Sequence, residues 1–176
     1  WDQSGASVSL SSDGTIVAIA AVGNSNVGGT GYERIFRNIN NVWTQYGQNI
    51  IEEAISDQSG GGSGSISLSN DGTIVAIGAY GNDAAGNEAG HVRVFQITND
   101  IWSQIGQDID GETSGDQSGW SISLNGDGTI VVIGARYHNS YKGQARVFKI
   151  INNVWIQVGQ DIEGVIPDLY NPDYYV

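Results

Sequence analysis

The sequence predicts an all-β fold made of three four-stranded antiparallel units, and three observations predict it. One block recurs three times. It is built on Asp-Gln-Ser-Gly, Asp-Gly-Thr-Ile-Val, Arg-x-Phe and Trp-x-Gln-x-Gly, and it runs from Asp2 to Gly47, from Asp57 to Gly106 and from Asp116 to Gly159. A repeat of this length is an architecture rather than a site. Within each copy, short runs of alternating or β-branched residues are separated by turn dipeptides. The 26 glycines and 2 prolines suit a chain of many tight turns, and no segment carries a helical period. The expectation is a single repeat domain over residues 1–176, with copies at about 2–56, 57–115 and 116–162 and a non-repeating tail at 163–176.

The first strand of each copy alternates. In Ser65-Ile66-Ser67-Leu68-Ser69 the apolar residues share one face, and the equivalents are Ser7-Val8-Ser9-Leu10 and Ser121-Ile122-Ser123-Leu124. Asp-Gly follows at 13–14, 71–72 and 127–128 and predicts a hairpin. The second strand, Thr15 to Ala20, Thr73 to Ala79 and Thr129 to Ala135, is nearly continuous in Ile, Val and Ala. Both of its faces are therefore expected to be buried, and its small terminal residues allow close approach of neighbouring backbone. A variable polar loop ending on glycine leads to the third strand, Val92 to Ile97 in copy two and Ala145 to Ile150 in copy three. Copy one is eroded here. Glu33 stands where the others have Val92 and Ala145, which predicts an exposed or adapted edge. Asn40-Asn41, Asn99-Asp100 and Asn152-Asn153 turn the chain into a last strand carrying Trp43, Trp102 and Trp155. Such a unit is one propeller blade or an equivalent small sheet. Three of them form either an open arc or a ring closed through another chain, because closed propellers have at least four blades.

The order of these elements resembles the FG-GAP repeats of integrin-alpha-like β-propellers. Copy three carries Gly119-Trp120-Ser121, Asp127-Gly128, Val132-Ile133-Gly134-Ala135 and Gly143 before Ala145-Arg146-Val147-Phe148; copy two carries Ile77-Gly78-Ala79 and Gly90-His91-Val92-Arg93-Val94-Phe95. The resemblance covers the chain up to about Ile162, and it implies extracellular adhesion propellers, several blades of which hold calcium. The chain departs from that pattern in three respects. Its Asp-Gly turns keep only the end of the calcium loop, and calcium takes six to eight oxygens. Tyr80 and Arg136 stand where a Gly-Ala-Pro signature would place proline. Only three copies are present.

Charge narrows the partners. Nineteen acidic residues against seven basic ones give a net charge of -12, which disfavours nucleic acid and anionic membrane. No apolar stretch is long enough to span a bilayer. There is no cysteine. The chain opens on Trp1 in mid-repeat, as a processed or excised piece would. No zinc motif, phosphate loop or nucleophile elbow occurs, and His91 and His138 occupy non-equivalent positions. The expectation is therefore a non-enzymatic protein without cofactor. Calcium at acidic turns is the minor alternative, and the densest acidic group is Asp108, Asp110, Glu112 and Asp116, with Glu52, Glu53 and Asp57 as its counterpart.

What remains is contact. The repeated tryptophans read as core or inter-blade residues. Candidate contact residues lie where repetition stops: Glu33, the unrepeated Trp120, and Tyr80, Tyr137 and Tyr141 in the variable loops. Tyr170, Tyr174 and Tyr175 join them from the proline-containing tail. The expected function is a secreted or cell-surface structural subunit that self-associates through its repeat ends and tail, building a filament if the contacts do not close. The alternative is a glycan- or protein-binding adhesion module of a larger propeller.

Overall fold

The computed structural model describes residues 3–22, 31–54, 57–61 and 65–165. Tyr170, Tyr174 and Tyr175 lie outside them. Three open antiparallel sheets follow one another. The first is β1 (Ser4–Leu10), β2 (Ile16–Ala21), β3 (Tyr32–Ile39) and β4 (Val42–Gln45), in that spatial order, with β5 (Ile50–Ile51) also on β3. The second repeats it with β6 (Ile66–Leu68), β7 (Ile74–Ala79), β8 (His91–Thr98), β9 (Ile101–Gln104) and β10 (Ile109–Asp110). The third does so with β11 (Ser118–Leu124), β12 (Ile130–Ala135), β13 (Gln144–Ile151), β14 (Val154–Gln157) and β15 (Ile162–Glu163). The short fifth strand adds no fifth position. β4 pairs with one half of β3, from Phe36 to Ile39, and β5 with Tyr32 and Glu33, so both lie along one edge. The fourth strand is thus broken in two, around Gly47, whose φ is +81°.

The two hairpin signals act differently. The Asn-Asn pair closes the tight turn: Asn40 and Asn41 both have positive φ (51° and 66°), and Ile39 pairs with Val42 across a two-residue loop. Asp-Gly closes a wider loop held by side chains. Asp71 Oδ1 accepts from Ser69 Oγ (2.7 Å), Thr73 N (3.0 Å) and Thr73 Oγ1 (2.8 Å), while Ser69 Oγ accepts from Ile74 N (3.0 Å). Asp13 and Asp127 make the same bonds to Thr15 and Thr129.

The sheets stack face to face. The second presents Ile66, Leu68, Val75, Ile77, Phe95 and Trp102 to Ile16, Ala18, Ile35 and Ile50 of the first. Its other face, with Ile74, Ala76, Val92, Val94 and Ile109, meets Val131, Ile133, Phe148 and Trp155 of the third. Every sheet therefore has a leading face, carrying the tryptophan, and a trailing face, carrying the isoleucine of the short strand. Burial of both faces of the second strand holds for β7, which is buried throughout, but not for β2 or β12. The reason is position: among the described residues, only the middle sheet has a neighbour on each side. Gly78 shows how close the sheets come, because a Cβ there would lie 2.1 Å from the carbonyl oxygen of Gly119.

Glu33 does not lie on an exposed edge. It is fully buried in β3, flanked by β2 and β5, with Oε1 accepting from Ser59 Oγ (2.8 Å). A short turn at His138–Tyr141 interrupts the otherwise all-β chain, with left-handed backbone at Asn139 and Ser140.

Candidate functional site

The repeated words of the sequence are junction chemistry. Trp102 lies over Gly47, donates Nε1–H to the Tyr46 carbonyl (2.8 Å) and exchanges two backbone bonds with the Gln48 amide (2.7 and 3.0 Å). Trp155 repeats all of this on Gly106, Ile105 and Gln107. Arg93 reaches back to the Ile51 carbonyl (3.0 Å) and to Glu53 (3.4 Å), and Arg146 to the Asp110 carbonyl (2.6 Å) and to Glu112 (3.6 Å). Ser9 and Ser67 hydroxyls each accept an N–H, from Leu68 and Leu124 of the following sheet (both 3.0 Å).

The two outer faces carry the same parts, with no partner sheet among the described residues. On the leading face of the first sheet, Leu10, Val17, Ile19, Phe36 and Trp43 line an apolar hollow of about 420 Å³. Trp43 is 46% exposed, whereas Trp102 and Trp155 are each 3% exposed. On the trailing face of the third sheet, Ile162 is 57% exposed, against 4% for Ile50 and 3% for Ile109. Gly159 has open space where Gly47 and Gly106 are covered by tryptophan rings. Gly14 is likewise open, whereas Gly72 lies against Ile16 and Gly128 against Ile74. Equivalents of the junction residues are thus exposed on the outer faces of the first and third sheets. Of the tryptophans expected as core or inter-blade residues, Trp102 and Trp155 lie between sheets, while Trp43, in the first copy of the array, is not covered by any described sheet.

A second surface gathers four of the candidate contact residues. Tyr80 stacks on Trp120 with ring centroids 4.7 Å apart, and Tyr137 meets Tyr141 edge to face at 4.8 Å. Arg136 links the pairs, with Cζ 3.1 Å from the Trp120 centroid and 4.3 Å from that of Tyr137, and its Nε donates to Gln117 (2.9 Å). Tyr80 is further held by a hydroxyl bond to Gln58. Beside this row opens a polar cleft of about 480 Å³ lined by Glu88, Asp116, Gln117, Tyr137, Ser140 and Tyr141. Asp116 anchors it. Burial raises its pKa, but bonds from Thr113 and His138 outweigh that and leave it below the ordinary value. Arg136 itself was not singled out in the sequence.

Among the described residues, the four carboxylates of the acidic connector do not converge on one point. Asp110 offers its carbonyl to Arg146, Glu112 pairs with Arg146 and Gln144, and Asp116 bonds Thr113 and His138. Asp108 instead faces His91. Burial, followed by the charge of Arg93, lowers the His91 pKa. Burial pushes Glu33 up to about 7, against the Ser59 hydrogen bond.

No protein-family model and no curated protein sequence matches the chain. Among solved structures it is similar to TolB from Acinetobacter baumannii (TM-score 0.50, 12% identity, covering 86% of this chain and 31% of that one). It is also similar to Kuenenia stuttgartiensis hydrazine synthase (TM-score 0.54, 11% identity, covering 81% of this chain and 39% of that one). The likeness is one of fold, to β-propeller and solenoid-type architectures in general and not to FG-GAP repeats in particular. The chain spans less than two-fifths of the length of either. Among the described residues, no helix is long and apolar enough to cross a membrane.

Proposed function

We propose that the chain is a non-catalytic structural subunit of a secreted or cell-surface assembly, in which the leading face of one copy stacks on the trailing face of the next. The observation that carries this reading is the pair of outer faces. Trp43, Leu10 and Gly14 at one end, and Gly159, Gln160 and Ile162 at the other, are the counterparts of residues that already form two junctions inside the chain. Such a contact is heterologous, so it yields a ring where the rotation closes and a filament where it does not. The order of motif elements supports grouping the units with divergent FG-GAP-type repeats. Sedimentation and negative-stain microscopy of the purified chain test the proposal. Concentration-dependent head-to-tail oligomers are expected, and Trp43→Glu abolishes them. A monodisperse monomer at high concentration refutes it.

A second reading, compatible with the first, makes the aromatic row a glycan-binding surface. Tyr80, Trp120, Tyr137 and Tyr141 gather beside a polar cleft with Tyr141 exposed, and aromatic side chains next to polar groups are what carbohydrate recognition uses. A glycan-array signal lost in Trp120→Ala supports it, and no saturable signal for the wild type refutes it.

A further inference from the structure

At the junction of the first two sheets, Glu53, His91 and Asp108 bring one ligand atom each to within 4.8 Å of one another. They come from different places: Glu53 from the connector after β5, His91 from the start of β8, and Asp108 from the segment before β10. His91 is only 1% exposed, yet neither of its ring nitrogens has a hydrogen-bond partner among the described residues. A buried imidazole with both nitrogens unpaired is unusual, since buried polar atoms are nearly always bonded. Its Nδ1 lies 4.0 Å from Asp108 Oδ2, too far for a hydrogen bond, while Asp108 Oδ1 is fixed by Gln104 (2.7 Å). Glu53 Oε1 accepts from Arg93 (3.4 Å), and the carboxylate has a second oxygen to offer.

The next junction is an internal control. Gln144 pairs with Glu163 across its sheet as His91 pairs with Asp110, so Gln144 is the counterpart of His91. There the amide spans the gap directly, donating Nε2–H to Glu112 (2.9 Å). The first junction has an imidazole in that place, and no direct bond spans it.

We propose that Glu53, His91 and Asp108 form a site for a divalent transition-metal ion, with Zn²⁺ as its best match, that clasps the first sheet to the second. One imidazole nitrogen and two carboxylate oxygens are the borderline donor set such ions take, whereas calcium and magnesium prefer oxygen alone. Zn–N and Zn–O bonds of about 2.0–2.2 Å require the three atoms to draw together. The packed imidazole stays fixed, and the half-exposed carboxylates of Glu53 and Asp108 close on it. Water completes the coordination.

The test is calorimetric titration of the whole chain with Zn²⁺ in a non-chelating buffer, alongside thermal unfolding with and without the ion. One zinc per chain and a raised melting temperature are expected. His91→Gln installs the side chain that the next junction already uses, so it folds, and it loses both effects. His138→Gln keeps both. Absence of saturable zinc binding by the wild type, or binding undiminished in His91→Gln, overturns the proposal. Head-to-tail assembly is scored separately by sedimentation in metal-free buffer.

Discussion

Trp102→Ala and Trp43→Ala remove equivalent side chains and should have different consequences. A tryptophan side chain buries roughly 200–250 Å² when enclosed. The step from 46% exposure at Trp43 to 3% at Trp102 therefore corresponds to about 100 Å². At about 25 cal/mol per Å² this is about 2.5 kcal/mol, and the Nε1–H bond to Tyr46, which has no equivalent at Trp43 among the described residues, adds about 1 kcal/mol. Trp102→Ala is expected to cost the folded monomer about 3–5 kcal/mol, and Trp43→Ala about 3 kcal/mol less. The ranking reverses for assembly. The contact that Trp43 makes on a neighbouring copy is worth the same few kcal/mol, so Trp43→Ala should weaken end-to-end association by about 100-fold. Urea unfolding followed by fluorescence at high dilution measures the first quantity, and sedimentation equilibrium the second. Because assembly itself raises apparent stability, the unfolding midpoints must not vary with concentration across the range used. Equal destabilisation of the dilute monomer by the two variants, or wild-type association by Trp43→Ala, would refute the reasoning.

Three further outcomes follow from particular residues. Gly159 has a φ of +78°, so Gly159→Ala should cost about 1 kcal/mol in backbone conformation while blocking the seat of the incoming Trp43, a loss that sedimentation will detect. Glu33 has a folded pKa of about 7 against an ordinary value of 4.5, so its contribution is present below about pH 4.5 and is lost as pH rises to about 7. Glu33→Gln should flatten that part of the stability–pH profile, by up to about 3 kcal/mol between its ends, and an unchanged slope in urea titrations at pH 5 and pH 8 contradicts the assignment. Asp71→Ala strips three hydrogen bonds from the loop between β6 and β7 and should lower stability by about 1–3 kcal/mol by thermal unfolding, with Thr73 exchanging its amide proton faster.

Much of the fold was legible in the sequence because repetition multiplies each weak local signal by three. The alternation of Ile66 and Leu68, the glycines at 47, 106 and 159 and the Asn-Asn or Asn-Asp turns each recur in register, and the structure places them as strands, breaks and tight turns. The candidate surfaces were only partly legible. Tyr80, Trp120, Tyr137 and Tyr141 were picked out as unrepeated aromatics, and they do meet. Arg136, which joins them, carries no local signal. Glu33 was misread as an edge residue, because a charge replacing valine suggests solvent until its buried hydroxyl partner at Ser59 is known. Glu53, His91 and Asp108 are scattered across two copies of the repeat, and no spacing rule connects them.

The sequence by itself determined the unit: four strand positions, their turns, and the two apolar faces that each sheet must bury. These are local consequences of side-chain period and backbone propensity, which act over a few residues. Tertiary structure decided which faces find a neighbour. Identical tryptophans become core at Trp102 and Trp155 and stay half-exposed at Trp43, because burial depends on the sheet stacked alongside and not on the residue itself. The same holds for His91 and Gln144, equivalent in the repeat but divided by their surroundings: Gln144 bonds the Glu112 carboxylate, whereas the His91 ring stands near Glu53 and Asp108 with no hydrogen bond among the described residues.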